Sequence, residues 1–482
     1  MPQRRIEECN WSKERNGLVK LNYKRTFFIG LAFLSISGFW QMYDSIIPLM
    51  LQNTFHLGET VTGALMAMDN VLAIFLLPLF GSLSDKTDTK IGKRMPFILG
   101  GTVLAAAFLL LLSAADRKQN LTMFLFVLFL LLLSMGLYRS PAVALMPDLT
   151  PNRLRSKANA VINLMGAVGG VYALLMIKLL VGGGERPDYL PLFISIGGLM
   201  LLAVAVLFLT VKEKKVAELI REEERAFKIQ REPDGQAEGK ASEAVRETDA
   251  RRKEEGHGED AGHREEVRGE DAGQQEAAMP REVRRSMIFL LLSIFFWFTA
   301  YNAVTTAFSR YTRVVWHMEG GSFADCLMVA TVAAICSYIP IGNIASRIGR
   351  KKTILAGIVL MSLCYFAAVF AGAYHPIINI AFAAIGVGWA AINVNSYPMI
   401  VEMSKGCDIG KFTGTYYTFS MAAQIFTPVL SGFLLENVSY RSLFPYAFIF
   451  SSLAFITMLQ VHHGDSRPEK KKDILENFDV DD

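Results

Sequence analysis

The sequence predicts an all-α membrane protein: twelve transmembrane helices arranged as two pseudo-symmetric six-helix bundles. Three observations carry that prediction. The apolar residues come in long blocks, a charged stretch divides the blocks into two sets of six, and motifs of the first set return in the second. Of the 482 residues, 52% are hydrophobic. A soluble chain of this length would spread them at helical or strand period over several domains. Here "LAFLSISGFWQMYDSIIPLML", "FILGGTVLAAAFLLLLSAA" and "MFLFVLFLLLLSMGLY" each approach the ~20 apolar residues that cross ~30 Å of hydrocarbon. Backbone groups in lipid must be satisfied within the segment, and no barrel alternation is present, so the blocks are helices.

Taken in order, a basic leader (1–24) precedes the first bundle (25–211), with expected spans 25–52, 60–83, 96–115, 121–146, 157–181 and 189–211. A charged stretch (212–285) follows, and the second bundle (286–462) has expected spans 286–312, 323–345, 353–373, 376–400, 411–435 and 443–462, before a tail at 463–482. The 212–285 stretch, with "EGHGEDAGHREEVRGEDAGQQE", has no apolar period and reads as a largely disordered cytosolic linker. Its start, "KEKKVAELIREEERAFKIQRE", could extend the sixth span as a charged helix. His257 and His263 belong to that solvated linker rather than to a metal site.

Lys and Arg placement sets the orientation. The leader, Lys86, Lys90, Lys93, Arg94, Arg153, Arg155, Lys157, Arg347, Arg350, Lys351, Lys352 and Lys470 to Lys472 fall on one side, and few positive charges on the other. Both termini are therefore expected in the cytosol and the chain in the cell membrane. The net charge of +4 understates the bias because the linker is rich in acids. The first apolar run follows a basic leader and lacks a small-residue cleavage pattern, so it reads as a span and not as a signal peptide. The five cysteines show neither disulfide nor zinc spacing. No phosphate-binding G-x-x-x-x-G-K-[ST] and no nucleophile motif is present, which argues against an ATP-driven pump and an enzyme.

The halves match at two places. Gly81, Asp85 and Lys86 followed by Gly92, Lys93 and Arg94 return as Gly342, Ser346 and Arg347 followed by Gly349, Arg350, Lys351 and Lys352. Asp148 precedes Lys157 by nine residues, as Glu402 precedes Lys411. Offsets of 261 (Gly81 to Gly342) and 254 (Asp148 to Glu402) argue for duplication. Repeated six-helix halves suit a rocking transporter with a site between them.

On these residues the chain resembles the major facilitator superfamily; the stretch from Gly81 is similar to that superfamily's signature between its second and third helices. "GKRMPFIL", "P141-A-V-A-L-M-P-D148-L", "KANAVINLMGAVGG" and "W40-Q-M-Y-D-S-I-I-P48" resemble the branch of sucrose–proton and glycoside–pentoside–hexuronide:cation symporters. The resemblance spans all twelve helices. It implies that superfamily's fold, alternating access, and spans one, four, seven and ten lining the cavity. One departure stands out. Plant-type sucrose carriers have an Arg two residues after the proline matching Pro141 and an Asp further back in that helix, where this chain has Val143 and Leu132. Arg139, one turn before Val143 on the same face, is the expected substitute.

Gating is expected of Gly81, Asp85, Lys86, Arg94, Asp148, Arg347, Arg350 and Glu402. Gly81 permits a close helix approach. Asp85 is suited to the amide end of another helix, which the resemblance makes span eleven. Lys86, Lys93 and Arg94 can pair with Asp148, and Arg347 or Arg350 with Glu402, as latches that form in one state and break in the other. Positive-inside bias alone would also place these basic residues.

Charges deep in a span are costly and mark function. Asp44, Asp69 and Arg139 are such charges. A carboxylate that can bind a proton and release an arginine makes a proton carrier. Asp44 or Asp69 is the expected proton site and Arg139 the counter-charge; the alternative for each is a structural hydrogen bond or pairing. Gln41, Asp44, Ser45 and Pro48 form one polar stripe. Sugar binding calls for aromatic faces beside amides. Trp389, Asn393 and Tyr397 recur at i, i+4 and i+8; Trp297, Tyr301 and Thr305, with Asn302 alongside, mark span seven; Tyr416, Tyr417 and Gln424 mark span eleven. Trp40, Trp316 and Tyr301 could instead be interfacial belt residues, and Arg310 and Arg313 rim charges.

The expected function is cation-coupled symport of a sugar or glycoside, with H⁺ as the coupling ion, Na⁺ as the alternative and no other cofactor. The protein is expected to act as a monomer whose partners are that solute and the lipid bilayer, with no nucleic acid. The alternatives are an exporter or antiporter of another small solute, and a non-transporting membrane sensor.

Overall fold

The structure, a computed structural model, describes residues 21–151, 154–184, 186–225, 280–403 and 409–465. Twelve long helices follow one another: α1 (Tyr23–Asn53), α2 (Glu59–Lys86), α3 (Met95–Arg117), α4 (Leu121–Asp148), α5 (Arg155–Leu180), α6 (Leu190–Thr210), α7 (Arg281–Val315), α8 (Ala324–Ile348), α9 (Arg350–Val369), α10 (Ile378–Met403), α11 (Ile409–Asn437) and α12 (Leu443–Leu459). No strand occurs among the described residues. Each helix is long and apolar enough to cross a bilayer.

Local chemistry starts and bends these helices. Asn22 accepts the Arg25 N–H at 3.1 Å and Asn120 the Met123 N–H at 2.9 Å, so each caps its helix. Proline at the first or second position opens α3 and α6. Prolines lie inside α1, α2, α4, α8, α10 and α11, each leaving the carbonyl four residues earlier without its helical donor. Beside Pro78, Ser140 of α4 donates to the Leu77 carbonyl of α2 at 2.7 Å and ties the two helices.

The same packing is built twice. α1 lies on α5, α3 on α4 and α6, and α2 on α4; α7 lies on α11, α9 on α10 and α12, and α8 on α10. Short polar ties join helices within each bundle: Ser35 of α1 with Tyr138 of α4 at 2.7 Å, Tyr172 of α5 with Ser195 of α6 at 2.7 Å, Ser293 of α7 with Thr457 of α12 at 2.7 Å, and Ser362 of α9 with Ser451 of α12 at 2.8 Å. Outward faces carry large exposed apolar residues, as on α2 with Val71, Phe75 and Leu79, which a water-soluble surface would not gather.

The halves meet through α2 with α11, α5 with α8, and α1 with α7, the set expected of a two-fold relation. One face holds the described chain ends, the end of α6 and the start of α7; the other is the opposite face.

The linker's start differs from a continuous sixth helix. α6 stops at Thr210, two residues intervene, and a separate helix occupies 213–225. Its first residue, Glu213, is only 3% exposed. The Glu213 carboxylate accepts the N–H groups of Lys93 (2.9 Å), Arg94 (3.0 Å) and Met95 (2.9 Å) and so caps α3. Asp465, just past α12, accepts the Lys351 N–H of α9 at 2.8 Å, the counterpart in the second half. His257, His263, Cys9 and Cys407 lie outside the described residues.

Candidate functional site

A cavity of about 580 Å³ lies between the halves, walled by α1, α2, α4 and α5 on one side and α7, α8, α10 and α11 on the other. Its wall includes Gln41, Asp44, Asp69 and Arg139 from the first half and Tyr301, Asn302, Trp389 and Tyr417 from the second. Residues separated by hundreds of positions thus share one space.

On the first-half wall, Arg139 stands within electrostatic reach of both Asp44 and Asp69. Its guanidinium carbon lies 5.7 Å from the Trp40 ring centroid, a cation–π distance. Asp69 accepts the Asn70 side-chain amide at 2.7 Å, and Gln41 donates to Ser45 at 3.3 Å. Val143 lines the same cavity, so Arg139 does share its face. Leu132 is buried in the helix core instead.

On the second-half wall, the Tyr301 and Trp389 rings stack face to face, with centroids 3.9 Å apart and planes 5° from parallel. Phe298 meets Trp389 edge-on at 5.3 Å. The indole is thus backed by two rings, and one face of it is covered by Tyr301.

Some expected residues fall elsewhere. Asn393 is 5% exposed and Tyr397 pairs with Thr413 at 3.2 Å; neither lines the cavity. Four residues turn a helix by about 40° beyond a full turn, so a stripe at i, i+4 and i+8 winds about 80° off its starting direction. Trp297 and Tyr416 point into the core. Trp40 lines the cavity rather than a belt, and Trp316 is buried, donating to the Ala371 carbonyl at 2.9 Å.

Ser37, Asn159, Asn163 and Tyr338 line the cavity although sequence reasoning passed over them. For the two asparagines a signal existed: they stand four apart inside an apolar run.

At the face of the chain ends, the same ion pair is built twice. Arg94 Nε binds Asp148 at 2.9 Å and Lys93 Nζ binds Asp148 at 2.9 Å; Arg350 Nη1 binds Glu402 at 2.8 Å. Arg94 also reaches Asp85, Ser84 and the Gly81 carbonyl. In this conformation Asp85 pairs with Arg94 inside its own bundle; the first three side chains of α11 lie outside the described residues. Lys86 and Arg347 are exposed; Lys93 and Arg94, not Lys86, hold Asp148, and Arg350, not Arg347, holds Glu402.

Contacts joining the halves gather at the opposite face. Arg310 pairs with Glu59, Glu436 accepts the Thr60 N–H at 2.7 Å, Arg313 donates to the Gly184 carbonyl at 2.9 Å, and Lys178 pairs with Asp325 at 2.7 Å. Arg310 is thus buried in the seam between the halves and is not a rim charge. Gly63 lies against the Pro428 carbonyl and Gly432 against the Glu59 carbonyl, so α2 and α11 touch backbone to backbone; a Cβ at either glycine would overlap the partner chain.

The Major Facilitator Superfamily family model matches residues 29–339 and 316–477. The chain belongs to that superfamily. As a member it is a multi-pass membrane transporter, with a small-molecule solute as its partner. The superfamily's fold is seen across wide sequence distance. The structure is similar to the xylose transporter XylE from E. coli in an inward open conformation (TM-score 0.61, 14% identity, 91% of this chain and 94% of that chain). It is also similar to a bacterial homologue of the human drug peptide transporters PepT1 and PepT2 (TM-score 0.60, 12% identity, 92% and 97%). A bacterial homologue of the iron transporter ferroportin in an inward-facing state matches comparably (TM-score 0.60, 13% identity, 92% and 99%). Among curated proteins, chloramphenicol resistance protein CraA of Acinetobacter baumannii is 29% identical over 101 residues, 21% of this chain and 24% of that protein. The match therefore spans about a quarter of that relative's length.

Proposed function

We propose that this superfamily member is a proton-coupled symporter of a hydrophilic solute, a sugar or glycoside, working by alternating access at the cell membrane. One observation carries the reading: Asp44, Asp69 and Arg139 share a wall of the inter-bundle cavity opposite the Tyr301–Trp389 stack. Protonation of Asp44 or Asp69 weakens its hold on Arg139, so proton binding and side-chain rearrangement are one event. The Tyr301–Trp389 stack offers a flat apolar surface to a sugar ring, and Gln41, Asn302 and Tyr417 supply hydrogen-bonding groups around it. Na⁺ remains the alternative coupling ion.

With the basic residues of the chain-end face in the cytosol, the closed opposite face is external and this conformation is inward-facing. Gating then falls to Gly81, Asp85, Arg94 and Asp148, and to Arg350 and Glu402, while Lys86 and Arg347 set topology. Purified protein in sealed vesicles, given labelled disaccharide under an imposed pH or Na⁺ gradient, tests the reading. Proton-driven accumulation is expected; a flat response to both gradients removes coupling. The likeness to a chloramphenicol resistance protein favours a second reading, export of another small solute. In that case an opposed proton gradient drives labelled solute out of the vesicles.

A further inference from the structure

The opposite face is held shut by a buried charge pair that the transport reading above does not use. Glu59 is the first residue of α2, and Arg310 lies near the far end of α7, in the other half. Arg310 Nε meets Glu59 Oε2 at 3.0 Å, with the side chains 3% and 4% exposed. Tyr440, in the turn before α12, donates its hydroxyl to Glu59 Oε1. One carboxylate therefore ties α2, α7 and the α11–α12 turn together. The Nε and Oε2 atoms meet without hydrogen-bond alignment, so the tie is chiefly the attraction of two desolvated charges. Such a tie depends steeply on both charges being present.

Glu59 also has a route to water. It lines a second cavity, of about 770 Å³, on this face, together with Gln52, His56, His317, Glu436 and Arg441. On its inner side the pair continues the walls of the central cavity. Asn302 and Thr306 precede Arg310 at four-residue steps on α7, and Met66 and Asn70 follow Glu59 at seven and eleven on α2; all four line the central cavity.

We propose that Glu59 is a proton-operated lock on the opposite-face gate. As a carboxylate it holds the halves together through Arg310 and Tyr440. On taking a proton from water in the 770 Å³ cavity it loses the charge that Arg310 answers. Arg310 keeps its own proton, and its charge is then best satisfied by hydration, which requires the halves to part. The proton stays on Glu59 while the gate is open and returns to that cavity when the gate closes. The lock is a site of its own and does not depend on which solute is carried.

The other ionisable groups facing Glu59 are Arg310 from α7, Glu436 from α11, Tyr440 and Arg441 from the α11–α12 turn, and His56 and His317 from the loops after α1 and α7. The two histidines are 261 residues apart, the offset of the internal repeat, and both hold a left-handed backbone (φ 53° and 52°). Both line the cavity, while the Glu59 carboxylate itself is held by Arg310 and Tyr440.

The experiment is a distance measurement across the opposite face. Spin labels are placed at Lys118→Cys and Gly372→Cys, one in each half, in a background without the native cysteines. Double electron–electron resonance spectra are recorded in nanodiscs, without solute, from pH 7 to pH 4. In the parent protein the long-distance, open population is expected to grow as pH falls, the open-to-closed ratio changing by at most tenfold per pH unit for one proton. Glu59→Gln and Arg310→Gln are each expected to show the open population at every pH, and either variant alone suffices. The His56→Gln/His317→Gln double variant is expected to keep the pH response. A Glu59→Gln protein with parental distances and parental pH response overturns the proposal, as does loss of the response in the histidine double variant.

Discussion

The Glu213 cap offers the most direct test of how the linker is attached. Replacing Glu213 by Ala removes a nearly buried carboxylate that serves three N–H groups at the start of α3. A one-bond cap is worth about 1 kcal/mol, and a charge at a helix N-terminus adds roughly 0.3–1 kcal/mol. The three donors together therefore put the loss at about 3–4 kcal/mol. At about 2–4 °C per kcal/mol for a unit of roughly two hundred residues, Glu213→Ala lowers the melting temperature of the first bundle by about 6–16 °C. Glu213→Gln keeps one acceptor oxygen and costs about half as much. Asp465 is exposed and serves the Lys351 N–H in the second half, so Asp465→Ala costs about 1 kcal/mol, or about 2–4 °C. Nanoscale scanning fluorimetry of the detergent-purified proteins reads all three. Equal shifts for Glu213→Ala and Asp465→Ala, or a Glu213→Ala shift under about 2 °C, would refute the link between donor count, burial and stability.

Other consequences follow from the same geometry. Asp69→Asn and Asp44→Asn are expected to abolish accumulation driven by a pH gradient, by more than about tenfold, while solute exchange survives; counterflow beside gradient-driven uptake in vesicles separates the two. Tyr301→Ala uncovers one face of Trp389 and removes half of the stack, so apparent solute affinity should fall by about 1 kcal/mol, roughly fivefold in KM, with little change in maximal rate. Gly63→Val places side-chain atoms where the Pro428 carbonyl lies, so the opposite face cannot close; an impermeant thiol reagent should then reach a cavity cysteine such as Ala167→Cys from that face, and unchanged labelling would exclude the backbone contact as part of the gate. A double-mutant cycle on Arg350→Gln and Glu402→Gln should return a coupling of roughly 1 kcal/mol in thermal stability, and strict additivity would show that the pair is not energetically real.

Much of the architecture was legible in the order of residues. Lipid demands internally satisfied backbone, and apolar length alone meets that demand, so all twelve helices fall within a few residues of the expected spans. The duplicated ion pairs were legible too, because a motif that recurs at a fixed offset occupies equivalent places. Asp44, Asp69 and Arg139 could be picked out because a charge inside an apolar block is conspicuous whatever it touches. The face of a polar residue was harder to read. Asn393 and Tyr397 share a nominal stripe with Trp389, yet helical drift turns them from the cavity, and Asn159 and Asn163 enter it from a helix that looked merely small and apolar.

By itself, the sequence determined what each segment had to be: a helix in lipid, a basic loop, a charged stretch, a second copy. Only the tertiary structure decided what met what. It set Tyr301 on Trp389, closed α2 on α11 at one face, and drew Glu59 to Arg310 from opposite halves. The physical reason is range. Hydrophobic length and charge placement act within a segment, whereas a buried ion pair or a ring stack exists only after distant helices have packed, and no local pattern encodes that distance.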